Sequence, residues 1–206
     1  MDDLTVGILA FDGADELDVV GPYRTFAAVN LVREHVPSPA VRLELIAPEL
    51  KQITFANGLK IEPTTDYANC PPHDLLIAPG GGSNAAEGRR KQQKNPDTLA
   101  FVRERSAQAR LTGSVCTGAF ILAESGLLAE RFVSTHWLFR TELEKLMAER
   151  GEPVRIVHER VAWDEPIVTA GGVTSGIDLS LEIIEKLCGA DVRKACEGEL
   201  ELQTPR

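Results

Sequence analysis

Cys116 is the residue whose type and setting point most directly to chemistry. It lies in Ser114-Val115-Cys116-Thr117-Gly118, between a short apolar run that starts at Leu111 and a helix-like stretch from Ala119 to Leu128. A Ser-x-Cys-x-Gly turn between strand and helix has the small-residue logic of a nucleophile elbow, a sharp bend that forces the side chain outward. At a helix N-terminus the thiol is expected to titrate below an ordinary cysteine, which would raise the thiolate fraction at neutral pH. A buried structural cysteine is the plainer reading, and it is the one taken for Cys70, Cys188 and Cys196.

Three other places have residues that could serve such a nucleophile. Asp18, in Leu17-Asp18-Val19-Val20-Gly21-Pro22, is a carboxylate among apolar neighbours. Half-buried beside a thiolate, it would have a raised pKa and could act as general acid and then as general base. A helix cap or a bend-stabilising aspartate is the competing account. Gly80-Gly81-Gly82 offers backbone N–H groups of the oxyanion-hole type, and no Gly-Lys-Ser/Thr follows to make it a Walker loop. His136, followed by Trp137, is read first as pocket lining and second as a base. His35, His73 and His158 show no pattern. The cysteines have no CxxC spacing and the histidines no ligand spacing, so no metal site is expected.

Several elements must position these residues. Thr5–Phe11, Asp74–Pro79 and the run before Cys116 are nearly continuous apolar stretches, as expected for parallel strands covered on both faces. Val41–Ala47 alternates. Ile53–Ile61 reads as a hairpin with a two-residue turn at Asn57-Gly58. Arg131–Ser134, Arg155–Trp163 and Pro166–Thr169 are further strand candidates. Helical stretches are expected over Tyr23–Arg33, with a bend at Gly21-Pro22 just after Asp18; over Asp97–Ala109, with Asp97 as N-cap; and over Leu138–Arg150, Ser175–Cys188 and Asp191–Leu202. Glu87–Asn95 is polar and basic without apolar period and reads as a solvated loop or frayed helix end. The alternation predicts an α/β fold, a doubly wound and mostly parallel sheet in one domain over residues 1–206. Ligands of such sheets sit beyond the C-terminal strand ends. Asp18, the glycine turn and Cys116 would converge there.

Composition narrows the function classes. The net charge of −9 over 206 residues argues against a general nucleic-acid binder. No apolar stretch approaches the roughly 20 residues that span a bilayer, and the start, Met1-Asp2-Asp3, is acidic where a signal peptide is basic. A cytoplasmic protein with free thiols is expected.

Taken together, Leu17–Pro22, Ile77–Gly81, Ser114–Ala119, Thr135-His136-Trp137 and Thr169–Asp178 resemble the ThiJ/PfpI superfamily. Within it they are similar to the isonitrile (isocyanide) hydratases and equally to the amidotransferase-like sensor domain of AraC-type regulators. The resemblance implies a flavodoxin-like, class I glutamine amidotransferase-like fold and a homodimer. It implies Cys116 as nucleophile and Asp18 as its acidic partner, with Gly81, Gly82, Thr117, Gly118, His136 and Trp137 around a small-molecule substrate. No metal or organic cofactor is implied. Thr117 stands where the protease-like branch has histidine, which turns the reading away from peptidase chemistry. The implied reaction is addition of water to an isonitrile, giving an N-substituted formamide through a Cys116 thioimidate. A ligand- or redox-sensing domain and a deglycase or glyoxalase are the alternatives. An AraC-type regulator would continue for roughly another 100 residues, as a helix-turn-helix domain, so no nucleic-acid partner is expected.

Overall fold

The structure, a computed structural model, describes residues 3–81 and 91–202. Gly82 and residues 87–90 of the basic segment lie outside the described residues. The central sheet is built from β1 (Leu4–Leu9), β2 (Val41–Ala47), β5 (Thr65–Asp66), β6 (Leu75–Ala78), β7 (Leu111–Val115), β10 (Val161–Asp164) and β11 (Ile167–Ala170). Its order is β10-β11-β7-β6-β1-β2-β5. All neighbours are parallel except the edge pair β10–β11. The continuous apolar runs have the expected cause: β6, β7 and β11 are buried at every position. The inner order β2-β1-β6-β7-β11 is the flavodoxin-like 2-1-3-4-5 pattern, in which the strand order reverses between β1 and β6. The ends of β1, β6 and β7 therefore flank this switch point.

Two small sheets accompany it, β3 (Ile53–Thr54) with β4 (Lys60–Ile61), and β8 (Phe132–Val133) with β9 (Arg155–Ile156). The first pair corrects the expected turn. The Phe55 N–H reaches the Leu59 carbonyl at 2.8 Å and the Gly58 N–H reaches the Phe55 carbonyl at 3.0 Å. The loop is therefore Ala56-Asn57-Gly58, with Gly58 at φ +93°, a three-residue connection whose last residue is left-handed. The expected strand Arg155–Trp163 is in fact two, β9 and β10, interrupted at 157–160.

The helices are α1 (Glu16–Val32), α2 (Pro96–Ser106), α3 (Ala119–Glu124), α4 (Arg140–Glu149), α5 (Ser175–Cys188) and α6 (Ala190–Glu199). None of the described helices is long and apolar enough to cross a membrane. Three expectations need correction. The first helix starts at Glu16, capped by the Asp15 side chain at the Leu17 N–H. It runs on through Pro22, so Asp18 lies inside its first turn and not before a bend. Pro22 lacks an N–H, which leaves only the Asp18 carbonyl without its helical donor. Asn95, not Asp97, caps α2 through the N–H groups of Asp97 and Thr98. The described part of the basic segment is the helix-end alternative, packed and not solvated: residues 91–94 are helical, and Gln92 and Gln93 are buried. Gln92 accepts the Thr98 hydroxyl at 2.7 Å and Gln93 donates to Glu124 at 3.2 Å.

His73 also has partners that its sequence neighbours did not announce. Its Nε2 lies 2.9 Å from Glu44 on β2 and its Nδ1 3.8 Å from the Cys70 thiol. The imidazole packs over Gly7, where a Cβ would come within 3.1 Å of the ring. The cluster ties the entrance of β6 to β2, away from the C-terminal strand ends.

Candidate active site

Three chain segments meet at the switch point. After β1 the chain turns through Asp12–Asp15, and the Asp15 N–H donates to the Gly80 carbonyl at 3.0 Å while Ala14 bridges to Gly81. α1 then brings Asp18 inward, fully buried. After β6, Gly80 donates its N–H to Asp18 Oδ2 at 2.9 Å and Gly81 donates to Thr117 Oγ1 at 3.1 Å. After β7, Cys116 opens a one-turn 3-10 helix, Cys116–Gly118, with its own backbone left-handed at φ +57°. For a residue with a Cβ this is a costly conformation. It is held from both sides, because the Cys116 N–H donates to the Gly171 carbonyl at 2.7 Å and the Thr135 hydroxyl donates to the Cys116 carbonyl at 2.7 Å.

The glycines are there for space. A Cβ at Gly80 would lie 2.5 Å from Thr117 Oγ1 and 2.9 Å from Asp18 Oδ2, and one at Gly118 would run into the Ala78 carbonyl. The described part of the glycine turn does not supply the expected cleft-facing donors: the N–H groups of Gly80 and Gly81 are spent on Asp18 and Thr117. The donors that reach the Cys116 sulfur are the N–H groups of Thr117 and Val173. Val173 is itself left-handed at φ +45°.

The electrostatics also differ from expectation. Burial, with the negative charge of Asp18 added, pushes the Cys116 thiol up to about 12, and the Thr117 and Val173 N–H groups pull back only part of this. The expected lowering at a helix N-terminus fails because Cys116 is only 4% exposed and sits beside a carboxyl group, while α3 is a mere six residues. Asp18 is raised well above the usual carboxylate range by burial and by Asp15, against the Gly80 N–H and the Cys116 thiol, which favour its anion. Its Oδ1 is buried and has no partner of ordinary hydrogen-bond geometry. Both shifts favour the protonated forms of the pair.

His136 and Trp137 stand to one side. The His136 Nδ1 accepts the Leu138 N–H at 3.3 Å, and burial together with the Arg140 charge holds its pKa below the usual value. It is a neutral ring packed on Gly172, where a Cβ would meet it at 2.6 Å. Trp137 is 67% exposed. Both line a cavity of about 300 Å³ together with Arg140, His158 and the Gly171–Val173 turn. Of the residues singled out from sequence, Asp18, Gly81, Cys116, Thr117 and Gly118 come together. His136 and Trp137 belong to the adjoining cavity, and Gly82 lies outside the described residues. Thr135, Gly171 and Val173 were missed as site residues, although they fall in the stretches Thr135-His136-Trp137 and Thr169–Asp178 that carry the resemblance.

The DJ-1/PfpI family profile matches residues 5–186. The chain belongs to the DJ-1/PfpI family. Among curated relatives, the isonitrile hydratase of Pseudomonas putida is 34% identical over 198 residues, 96% of this chain and 78% of that protein. The HTH-type transcriptional regulator GbdR of Pseudomonas aeruginosa is 28% identical over 145 residues, 70% of this chain but only 37% of the regulator. Among solved structures, a ThiJ/PfpI family protein from Pseudomonas syringae superposes with a TM-score of 0.85 at 28% identity, covering 100% of this chain and 78% of that one. The mostly parallel flavodoxin-like sheet is the fold of this DJ-1/PfpI chain.

Proposed function

We propose that the protein is a cysteine-dependent hydratase that adds water to an isonitrile. The observation that carries this reading is the buried Asp18 carboxyl, held by the Gly80 N–H through one oxygen and within hydrogen-bonding reach of the Cys116 thiol. A thiol that must both form a bond to carbon and part with a proton needs such a partner. The identity to the Pseudomonas putida isonitrile hydratase supports the same substrate class.

The chemistry balances with these two side chains and water. The Cys116 sulfur attacks the terminal carbon of R–N≡C and its proton passes to Asp18. Asp18 delivers a proton to the same carbon, giving the thioimidate R–N=CH–S–Cys116. The N–H groups of Thr117 and Val173 stabilise charge on the sulfur as it develops. The Asp18 carboxyl, still protonated, next accepts a proton from water on one oxygen as the water oxygen adds to the carbon, and gives its own proton to the nitrogen. The C–S bond then breaks to release R–NH–CHO, and the sulfur recovers its proton. No metal or organic cofactor enters this scheme. As in the resemblance, the working form is taken to be a homodimer in the cytoplasm, a single domain acting on a small molecule.

Cyclohexyl isocyanide incubated with the protein, with the formamide followed by chromatography, tests the reading. Turnover that disappears in Cys116→Ala and falls by about 10²–10⁴-fold in Asp18→Asn, the usual span of general acid–base catalysis, is the expected result. No turnover by the parent protein, or unchanged turnover in Cys116→Ala, overturns it.

A further inference from the structure

The cavity beside the nucleophile has a cation with no anion to meet. Its walls include His136, Trp137, Arg140, His158 and Arg160, and it shares two structures with the site: Thr135, whose hydroxyl holds the Cys116 carbonyl, and the Gly171–Val173 turn, whose backbone holds the Cys116 N–H and sulfur. The two arginines differ. Arg160 is spent, since its guanidinium is bound to Asp178 and to the Thr174 hydroxyl. Arg140 is not. Its terminal nitrogen lies 2.9 Å from the His158 Nδ1, its Nε is buried without a partner, and no carboxylate pairs with it among the described residues. Glu159 also lines the cavity, but its side chain is exposed to solvent, where its charge is screened. A half-buried guanidinium with an unanswered N–H is costly until an acceptor arrives. A planar carboxylate offers two oxygens that match the guanidinium fork. The Trp137 ring, mostly exposed at the same cavity, gives an apolar surface for a short carbon chain.

We propose that this cavity binds the carboxylate of a small organic anion, with Arg140 as its anchor. As part of the substrate, the anion makes that substrate an isonitrile with an acidic tail, a refinement that rests on the proposed function. The binding itself does not.

The test uses butyrate and its uncharged isostere butyramide, read by the fluorescence of Trp137 in a Trp163→Phe background, since the chain has two tryptophans. Butyrate is expected to give a saturable change and butyramide none. Arg140→Gln is expected to weaken butyrate on the order of tenfold, the scale of one charge-assisted hydrogen bond, with Arg140→Lys between the two and near-UV circular dichroism unchanged. Equal binding of butyramide, or butyrate binding undiminished in both folded Arg140 variants, overturns the proposal. A second arm separates the sources of the anion. A preference for isocyanoacetate over its methyl ester in kcat/KM, lost in Arg140→Gln, identifies the carboxylate as the substrate's own. No preference, with butyrate altering turnover of the neutral ester, identifies a separate anion in the same cavity. If no isonitrile is hydrated at all, the proposed function fails while the butyrate titration still decides the cavity.

Discussion

The Gly80 N–H and the Asp18 carboxylate meet at 2.9 Å, and a Cβ on Gly80 would stand just as close to the same oxygen. One atom position thus serves as the donor's approach and as a space that must stay empty. That contact fixes a carboxyl group which would otherwise have no reason to remain in an apolar interior.

The raised pKa of Asp18 has a signed consequence for stability. The folded protein holds the proton more tightly than the unfolded chain, whose carboxyl titrates at its ordinary value of 3.8. Asp18 therefore costs nothing below pH 3.8, and stability falls as pH rises from there through the folded pKa. Asp18→Asn is expected to raise Tm at pH 8, by about 2–4 °C for each kcal/mol relieved, and to leave it nearly unchanged near pH 3.5. Thermal melts at the two pH values check this. An equal shift at both would mean that the carboxyl charge is not what burial penalises.

Cys116 should be a protonated thiol at neutral pH, with its thiolate forming only towards pH 12. Thiolate absorbance near 240 nm, taken as the difference between the parent and Cys116→Ala, follows it directly. Asp18→Asn removes the like charge, so the thiol is expected to titrate lower in that variant while turnover drops. A lower thiol pKa with less activity separates proton delivery from simple thiolate abundance.

Two glycine substitutions should act in opposite directions. Gly80→Ala forces Thr117 and Asp18 aside and is expected to lose activity along with about 1–3 kcal/mol of stability. Gly198, near the end of α6, has nothing within 4 Å of a Cβ. Gly198→Ala is expected to gain up to about 1 kcal/mol with activity intact. Urea denaturation of both, beside the turnover assay, checks the pair.

Thr135 is fully buried, and its hydroxyl is a brace for the left-handed Cys116 backbone. Thr135→Val keeps the volume and removes the bond. The expected cost is about 1–3 kcal/mol for an unsatisfied carbonyl, with kcat lowered more than KM is changed. Denaturant unfolding and steady-state kinetics supply the two numbers.

Much of the fold was legible because its cause is local. Ile77 and Val115 lie in apolar runs since a parallel strand is covered on both faces, and the Cys116 turn shows itself through Ser114 and Gly118, which must be small. Charge at the site was not legible. The direction of the Cys116 shift depends on how deeply the sulfur is sunk and on Asp18 beside it, neither of which follows from residues 114–118. Pro22 misled for a related reason: a proline inside a helix looks like a breaker until one sees that it releases only the Asp18 carbonyl. The donors at the sulfur escaped notice because a backbone N–H has no letter of its own. Val173 contributes its main chain, and only the stretch Thr169–Asp178 around it, which carries the resemblance, left a trace.

The left-handed Cys116 has a consequence for the timing of assembly. Its N–H and sulfur are held by Gly171 and Val173, and its carbonyl by Thr135, all of which leave the ribosome after it. A nascent chain that ends before them has Cys116 and Asp18 but lacks these three braces. The braced Cys116 backbone is therefore complete only once the chain has extended past Val173.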